Sequence, residues 1–145
     1  MGLDQSFSEL NQESTNRIRA LVDRLSDEEL QHPVGEHWTV AITLLHIAFW
    51  ERRVMDILNK SEREGEVVIP TIDIVVNDLS LPLWTAVPPR AAAQIAVESV
   101  EAVDKRMEDF PSAILEELYA LNERFVIRAR HRNEHLDEVE SALMG

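Results

Sequence analysis

The sequence predicts an all-α protein, a four-helix bundle in which a long crossover joins the second and third helices. Apolar residues recur at steps of three and four along four long segments, which is the period of an amphipathic helix. Prolines and capping residues separate these segments. The connection 61–87 is far longer than a turn between neighbouring helices. We expect residues 1–145 to form one domain.

The composition is that of a globular protein with a strongly acidic surface. Apolar residues make up 45% of the chain, charged residues 28%, and the formal net charge is −13. This charge argues against nucleic acid and anionic membranes as partners, because phosphate groups attract lysine and arginine. The absence of cysteine excludes disulfides, thiolate ligands and a cysteine nucleophile. With neither a signal-peptide pattern nor a bilayer-spanning run, we expect a cytoplasmic protein.

The first helix is predicted from about Asp4 to Leu25. Its apolar stripe consists of Leu3, Phe7, Leu10, Ser14, Ile18, Leu21 and Leu25. The sequence SDEE at 26–29 is a capping-box pattern and predicts one additional turn. The sequence HPVG at 32–35 then ends helical structure, because proline and glycine disfavour its continuation.

The second helix is predicted from about Thr39, a suitable N-cap, to Lys60. Residues 40–50 are apolar on nearly every side, which is typical of a helix buried against several neighbours. His46 lies in the middle of this apolar segment. After residue 51 the pattern becomes amphipathic, so the second half is expected to bury a single face.

The long connection 61–87 begins with charged residues and then becomes apolar. Its β-branched run at 72–76 is compatible with a strand. A single strand would have no partner, so we favour a packed crossover with a helical turn near Asn77. Three tryptophans, Trp38, Trp50 and Trp84, are expected to anchor the core or this crossover.

The last two helices are separated by a proline. The third is predicted to begin at Pro88–Pro89 and to continue to about Asp109, before Pro111. The fourth is predicted as one continuous helix from the N-cap Ser112 to about Leu143. Its core face consists of Leu118, Leu121, Phe125, Ala129, Arg132, Leu136, Val139 and Leu143.

Three histidines are the candidate functional residues. His131 and His135 are four positions apart, so their side chains share one face of the last helix. On helical wheels of about 100° per residue, both lie beside the apolar stripe, and His46 lies at the matching edge of the second helix. Three neutral imidazoles can bind one divalent ion and leave positions open, as in catalytic zinc sites. All-nitrogen ligation suits zinc, nickel, copper or iron.

Other interpretations of these residues stay open. A histidine in an apolar helix is often a hydrogen-bonded core residue, and a pair among charged residues is often solvated. The sequence 131–135 also matches the H-x-x-E-H motif of inverted zincins, with Glu134 as general base, but this chain is too short for those peptidases. His32 and His37 are predicted to lie on the surface. Carboxylates that could orient metal-binding imidazoles are Glu51, Asp137 and Glu138.

Three segments, in order, resemble the DinB/YfiT-like superfamily, which is a metalloprotein family and not the DNA polymerase of the same name. They are WTVAITLLHIAFWERR at 38–53, NDLSLPLWTAVPPR at 77–90 and RHRNEHLDEVE at 130–140. The resemblance covers nearly the whole chain. One departure is the pair Ala41–Ile42, where the family often has two charged residues.

The resemblance implies a four-helix bundle whose crossover joins two parallel, neighbouring helices. It also implies a divalent metal ion, usually zinc or nickel, bound by one histidine of the second helix and two of the last. The matching positions here are His46, His131 and His135. Related members are thiol S-transferases that use bacillithiol or mycothiol, and a mycothiol-dependent maleylpyruvate isomerase. Homodimers are frequent among them.

We therefore expect a metal-dependent enzyme that activates a low-molecular-weight thiol, such as mycothiol or bacillithiol, for transfer to a small electrophile. A homodimer and a small-molecule substrate are expected with it, and Asn77 and Trp84 are candidate substrate contacts. One alternative is a metal-dependent hydrolase that uses water as the nucleophile. Another is a non-catalytic, dimeric binding or stress-response bundle in which the histidines are structural.

Overall fold

The computed structural model describes residues 5–145 as an all-α protein, which confirms the predicted fold class. The helices are α1 (Ser6–Arg24), α2 (Val40–Glu64), α3 (Val76–Thr85), α4 (Pro89–Glu108), α5 (Ser112–Leu121) and α6 (Ala129–Met144). Two 3-10 turns, Glu29–Gln31 and Glu123–Phe125, and an antiparallel pair of strands, β1 (Pro33–Val34) and β2 (Trp38–Thr39), lie between them. Leu3 and Asp4, at the predicted start of the first helix, lie outside the described residues.

The capping signals form the contacts that the sequence predicts. Ser26 Oγ accepts a hydrogen bond from the backbone N–H of Glu29, whose carboxylate accepts one from the Ser26 N–H, both at 3.0 Å. Thr39 Oγ1 accepts a hydrogen bond from the N–H of Ile42 at 3.1 Å and so caps α2. This helix continues beyond the predicted end at residue 60 and stops before Gly65, which has the left-handed φ of 73° typical of a C-terminal glycine.

The four long helices α1, α2, α4 and α6 form the bundle, and the crossover makes two neighbours parallel. Near the middle of α2, Arg52 donates a hydrogen bond to Ser99 of α4 at 3.0 Å. Nearer the C-termini of the same helices, Arg106 pairs with Glu62 at 2.7 Å. Because both contacts advance together, α2 and α4 run in the same direction, as the family resemblance implies.

The apolar core has two parts with a polar layer between them. Towards one end of the bundle, Ile47, Val100 and Leu136 belong to one buried cluster. Towards the other end, Ile57, Val103 and Ala129 belong to a second cluster. The polar layer consists of Asn11, Ser14, Thr15, Glu51, Asp104 and Arg132. Throughout residues 5–145, no helix combines the length and apolarity needed to cross a membrane.

The prediction of one continuous fourth helix is wrong, because residues 122–128 divide it into α5 and α6. Asn122 is extended, with φ −164°, and its side chain accepts a hydrogen bond from the N–H of Arg124 at 3.0 Å. Asparagine side chains compete in this way with helical hydrogen bonds. The apolar spacing continues through the break, yet Leu121, assigned to the core by that spacing, is 63% exposed.

The crossover contains a ten-residue helix, α3, instead of a single turn near Asn77. The alternative of a strand at 72–76 is wrong, since residues 72–73 have no regular structure, 74–75 form a turn and α3 begins at Val76. No residue of α3 is buried, and Leu79 and Leu83 are among its exposed apolar side chains. The helix nevertheless brings two polar or aromatic side chains, Asn77 and Trp84, beside α2.

Candidate metal centre

The antiparallel contact between α2 and α6 brings the three predicted histidines together. The Nε2 atoms of His46 and His131 are 3.3 Å apart. The ring centroid of His135 lies 4.5 Å from that of His46 and 4.7 Å from that of His131. One nitrogen from each ring lies within 4.8 Å of the others. Two nitrogens bound to one zinc ion at about 2.0–2.1 Å can be about 4 Å apart at most, so small ring rotations suffice for common ligation.

His46 is more deeply buried than His131 and His135. His46 is only 6% exposed because it belongs to the apolar first half of α2. His131 and His135 are half-buried, one turn apart on the side of α6 that faces α2. The i, i+4 spacing of this pair therefore places both rings over the same point of α2, as the sequence predicts.

Aromatic side chains surround His46. Its ring centroid lies 4.8 Å from that of Trp38 in β2 and 6.4 Å from that of Trp50 in α2. Trp84, on the crossover helix, lies 6.2 Å away. The three tryptophans thus form much of the wall of the histidine cluster, a more specific position than the anchoring role predicted for them. Such a wall excludes water and strengthens electrostatic interactions inside it.

Burial keeps two of the imidazoles neutral. It lowers the pKa of His46 to about 4, with a further decrease from the charge of His135 and an opposing contribution from Asn77. Burial likewise lowers the pKa of His131 to about 3, and the positive charge of Arg128 adds to the effect. Neutral imidazole has a nitrogen lone pair, which is the form that binds a metal ion.

The hydrogen bonds of the cluster leave room for a cation. The Nδ1 atoms of His46, His131 and His135 are buried and make no hydrogen bond in the part of the chain that the structure describes, although Nδ1 of His135 has an ion-pair contact. At His135, a carboxylate oxygen of Glu138 lies 2.6 Å from Nδ1. A carboxylate behind an imidazole is typical of metal-binding histidines, where it orients the ring and makes it more basic. The donor set of this group therefore fits a divalent ion.

Glu138 is the one of the three predicted orienting carboxylates that contacts a histidine of the cluster. Glu51 is instead paired with two buried arginines, and Asp137 with Arg17 near the surface. Glu134 of the zincin-like motif is exposed and paired with Arg124. This pairing directs the Glu134 carboxylate to Arg124, so the geometry gives no support to a general base at that position.

The remaining predicted residues lie around the cluster rather than in it. His32 and His37 are exposed, as predicted. A cavity of about 330 Å³ lies beside His135 and is also lined by His37 and Trp38. The crossover residue Asn77 accepts a hydrogen bond from the indole N–H of Trp50 at 3.1 Å, at the edge of the cluster.

Sequence reasoning missed a second cavity, of about 130 Å³, beside His131. Arg53 lies in its wall, with its guanidinium carbon 5.6 Å from the ring centroid of Trp50. The spacing of three residues between Trp50 and Arg53 on a helix was the available signal, because such residues are neighbours on the helix surface. The residues between 122 and 128 that line this cavity could not be found from the sequence, because the break between α5 and α6 was not predicted.

The fold and the site together define an all-α bundle with a three-histidine group between two antiparallel helices. A family model described as the DinB superfamily matches residues 10–138. The chain therefore belongs to the DinB superfamily, as the resemblance predicted. Comparison with curated proteins found no match, and comparison with solved structures found none. Family membership and a histidine group that could bind a metal ion are compatible with a metal-binding enzyme.

Proposed function

We propose that this protein is a divalent-metal-dependent enzyme in which His46, His131 and His135 bind zinc or nickel. The observation that carries the proposal is the convergence of three imidazoles, each with a buried Nδ1 that makes no hydrogen bond among the described residues. Three protein ligands leave at least one position of a tetrahedral ion for an exogenous group, which is the arrangement of catalytic zinc sites. The cavities beside His131 and His135 offer two directions of approach.

The activity that we propose is transfer of a low-molecular-weight thiol, such as mycothiol or bacillithiol, to a small electrophile. A bound divalent ion supplies the positive charge that keeps a coordinated thiol deprotonated at neutral pH. The chain has no cysteine, so a sulfur nucleophile must come from a co-substrate. The aromatic wall formed by Trp38, Trp50 and Trp84 would exclude water from the reacting sulfur.

Cobalt substitution tests whether a thiol binds at this site. Cobalt(II) replaces zinc and gives a sulfur-to-cobalt charge-transfer absorption when a thiolate coordinates it. We expect this absorption when a thiol is added to the cobalt-loaded protein, and its loss in His131→Ala. His32→Ala is the matched control, because His32 is exposed and outside the cluster. An absorption spectrum of the cobalt-loaded protein that does not change when thiol is added would contradict the proposed transferase activity and favour hydrolysis by water.

A homodimer is the assembly that we propose, on the basis of the family resemblance. The exposed apolar residues of α3, including Leu79 and Leu83, offer a surface for a second copy. Light scattering coupled to gel filtration measures the mass directly. A chain that elutes at 16.6 kDa at all concentrations tested would contradict this assembly.

A further inference from the structure

The cavity of about 130 Å³ beside His131 is positively charged, although the chain as a whole has a net charge of −13. Its lining includes Trp50, Arg53, Arg124, Phe125, Arg128 and His131. Three of these side chains are arginines, and no carboxylate belongs to the lining. A cleft lined by side chains of one sign of charge attracts ions of the other sign.

Two of the three arginines are neutralised by acidic partners outside the cavity. Arg128 pairs with Glu51 at 2.8 Å, and Arg124 pairs with Glu134. Arg53 differs from both, because no carboxylate of the described residues is within salt-bridge distance of it. Its Nη2 donates a hydrogen bond of 3.4 Å to the carbonyl of Pro70, and its Nε is buried without a partner. The wall of the cavity therefore carries one guanidinium charge without an acidic partner.

The guanidinium of Arg53 lies near two aromatic rings. Its central carbon lies 5.6 Å from the ring centroid of Trp50 and 5.8 Å from that of Phe125. These cation–π contacts restrict the side chain to the wall of the cavity. An arginine ordered before binding loses less conformational entropy when it takes up a ligand than a mobile surface arginine does.

We propose that this cavity is a carboxylate-binding subsite in which Arg53 binds the acid group of the small electrophilic substrate. Guanidinium and carboxylate are planar and match through two parallel hydrogen bonds. Because His131 lines the same cavity, a carboxylate bound there lies beside the metal-binding group, with the rest of the substrate next to the proposed ion. The inference rests on the proposed function for the reaction that follows, but the binding step does not require a metal.

Titration with propionate tests the subsite on the metal-free protein and on the zinc-loaded protein. The probe is the nuclear magnetic resonance signal of the Trp50 indole N–H, because Trp50 lines the cavity. We expect a saturable shift with propionate and none with propionamide, which has a similar shape without the charge. We expect Arg53→Gln to weaken binding at least about tenfold, since a charge-assisted bidentate contact is lost.

The matched control is Arg63→Gln, which removes the same charge from the same helix at an exposed position paired with Glu64. It should leave propionate binding unchanged, whereas Arg53→Lys should give an intermediate affinity because lysine keeps the charge without the planar fork. Equal binding of propionate and propionamide, or equal effects of the two glutamine variants, would overturn the proposal. A response to inorganic phosphate but not to propionate would also overturn it.

The same titration separates this inference from the proposed function. Propionate binding that depends on Arg53 in a protein unable to bind zinc or nickel would support the subsite and contradict the metal enzyme. Normal metal binding, together with propionate binding that is unchanged in Arg53→Gln, would support the metal enzyme and contradict the subsite. In the zinc-loaded protein, the charge of the ion should strengthen propionate binding relative to the metal-free protein.

Discussion

The polar layer and the histidine cluster both contain buried polar side chains at the contact between α2 and α6. They differ in how many of their polar atoms have partners within the chain. In the polar layer, both carboxylate oxygens of Glu51 are paired, with Arg132 at 2.6 Å and Arg128 at 2.8 Å. In the histidine cluster, Nδ1 of His46 and Nδ1 of His131 have no partner among the described residues. Most buried polar groups in proteins are hydrogen bonded, so the second group is the unusual one.

The polar layer is nearly complete without any ligand. Arg132 Nη1 donates hydrogen bonds of 3.1 Å to the carbonyl of Asn11 and to the hydroxyls of Ser14 and Thr15. Arg132 Nε and Asp104 Oδ1 make no hydrogen bond among the described residues, although Asp104 Oδ1 lies 3.0 Å from Arg132 Nη2. The layer therefore stabilises the fold, whereas the histidines have donor atoms that the fold leaves available. The contrast shows that a structural ion pair and a histidine group that could bind a metal ion lie close together in the bundle.

The largest expected effect is the loss of stability caused by Glu51→Gln. This change leaves Arg128 without a counter-charge and Arg132 with Asp104 as its remaining acidic partner. Breaking a buried ion pair costs about 3–5 kcal/mol. Urea denaturation followed by circular dichroism measures the difference. The control is Asp56→Asn, which breaks an exposed pair with Lys60 and should cost about 0.5 kcal/mol or less. A cost below about 1 kcal/mol for Glu51→Gln would remove the structural role of the layer.

The contribution of Glu51 to stability should also depend on pH. Burial acts to raise the pKa of Glu51, but Arg128 and Arg132 outweigh it, so the pKa lies below the ordinary value of 4.5. A lowered pKa means that the stabilisation is complete above the pKa of the unfolded chain and is lost as acid protonates the folded form. The stability difference between wild type and Glu51→Gln should therefore be full at neutral pH and shrink below pH 4.5. Denaturation curves at several pH values measure it, and a pH-independent difference would contradict the ionic layer.

His46→Leu should affect metal binding and stability in opposite directions. Loss of one of three ligands should weaken zinc affinity at least about 100-fold, because even the outer partners of metal ligands contribute 10–100-fold. The metal-free variant should be as stable as the wild type or more stable by about 1 kcal/mol, since an unpartnered buried polar group disappears. Thermal unfolding with and without zinc measures both effects. A metal-free variant destabilised as strongly as Glu51→Gln would make His46 a structural residue.

The smallest expected effect concerns the carboxylate behind His135. Glu138→Gln should weaken zinc affinity about tenfold and leave the stability of the metal-free protein nearly unchanged, because Glu138 orients the ring from an exposed position. Asp137→Asn is the matched control one residue away, where the carboxylate pairs with Arg17 instead. Competition with a coloured zinc chelator measures both affinities. Equal affinities for the two variants would show that Glu138 has no part in metal binding.

The elements that depend on local sequence signals were predictable. The apolar segment of α2, the Thr39 cap and the Ser26–Glu29 capping box need only neighbouring residues to specify them. The pairing of His131 with His135 also depends on local helical spacing alone. The prediction for these two histidines is therefore independent of the wrong prediction that one helix continues through residues 122–128.

Contacts between distant residues were not predictable. Glu51 was a candidate for orienting a histidine, but it pairs with Arg128, just before α6, and with Arg132 in α6. No local pattern specifies which charges meet across the bundle. The cavity at Arg53 depends in addition on the extended conformation of Asn122, where a side chain replaces a helical hydrogen bond. Neither arrangement produces a periodic pattern in the sequence from which it could be predicted.

The central claim, that three histidines from two helices bind one metal ion, is tested most directly by calorimetric titration of zinc and nickel. The protein is purified without a histidine tag and stripped of metal, and His46→Ala is titrated beside the wild type. The account predicts one ion per chain for the wild type and a loss of affinity of at least about 100-fold for the variant. Stoichiometric binding that persists undiminished in His46→Ala would contradict it.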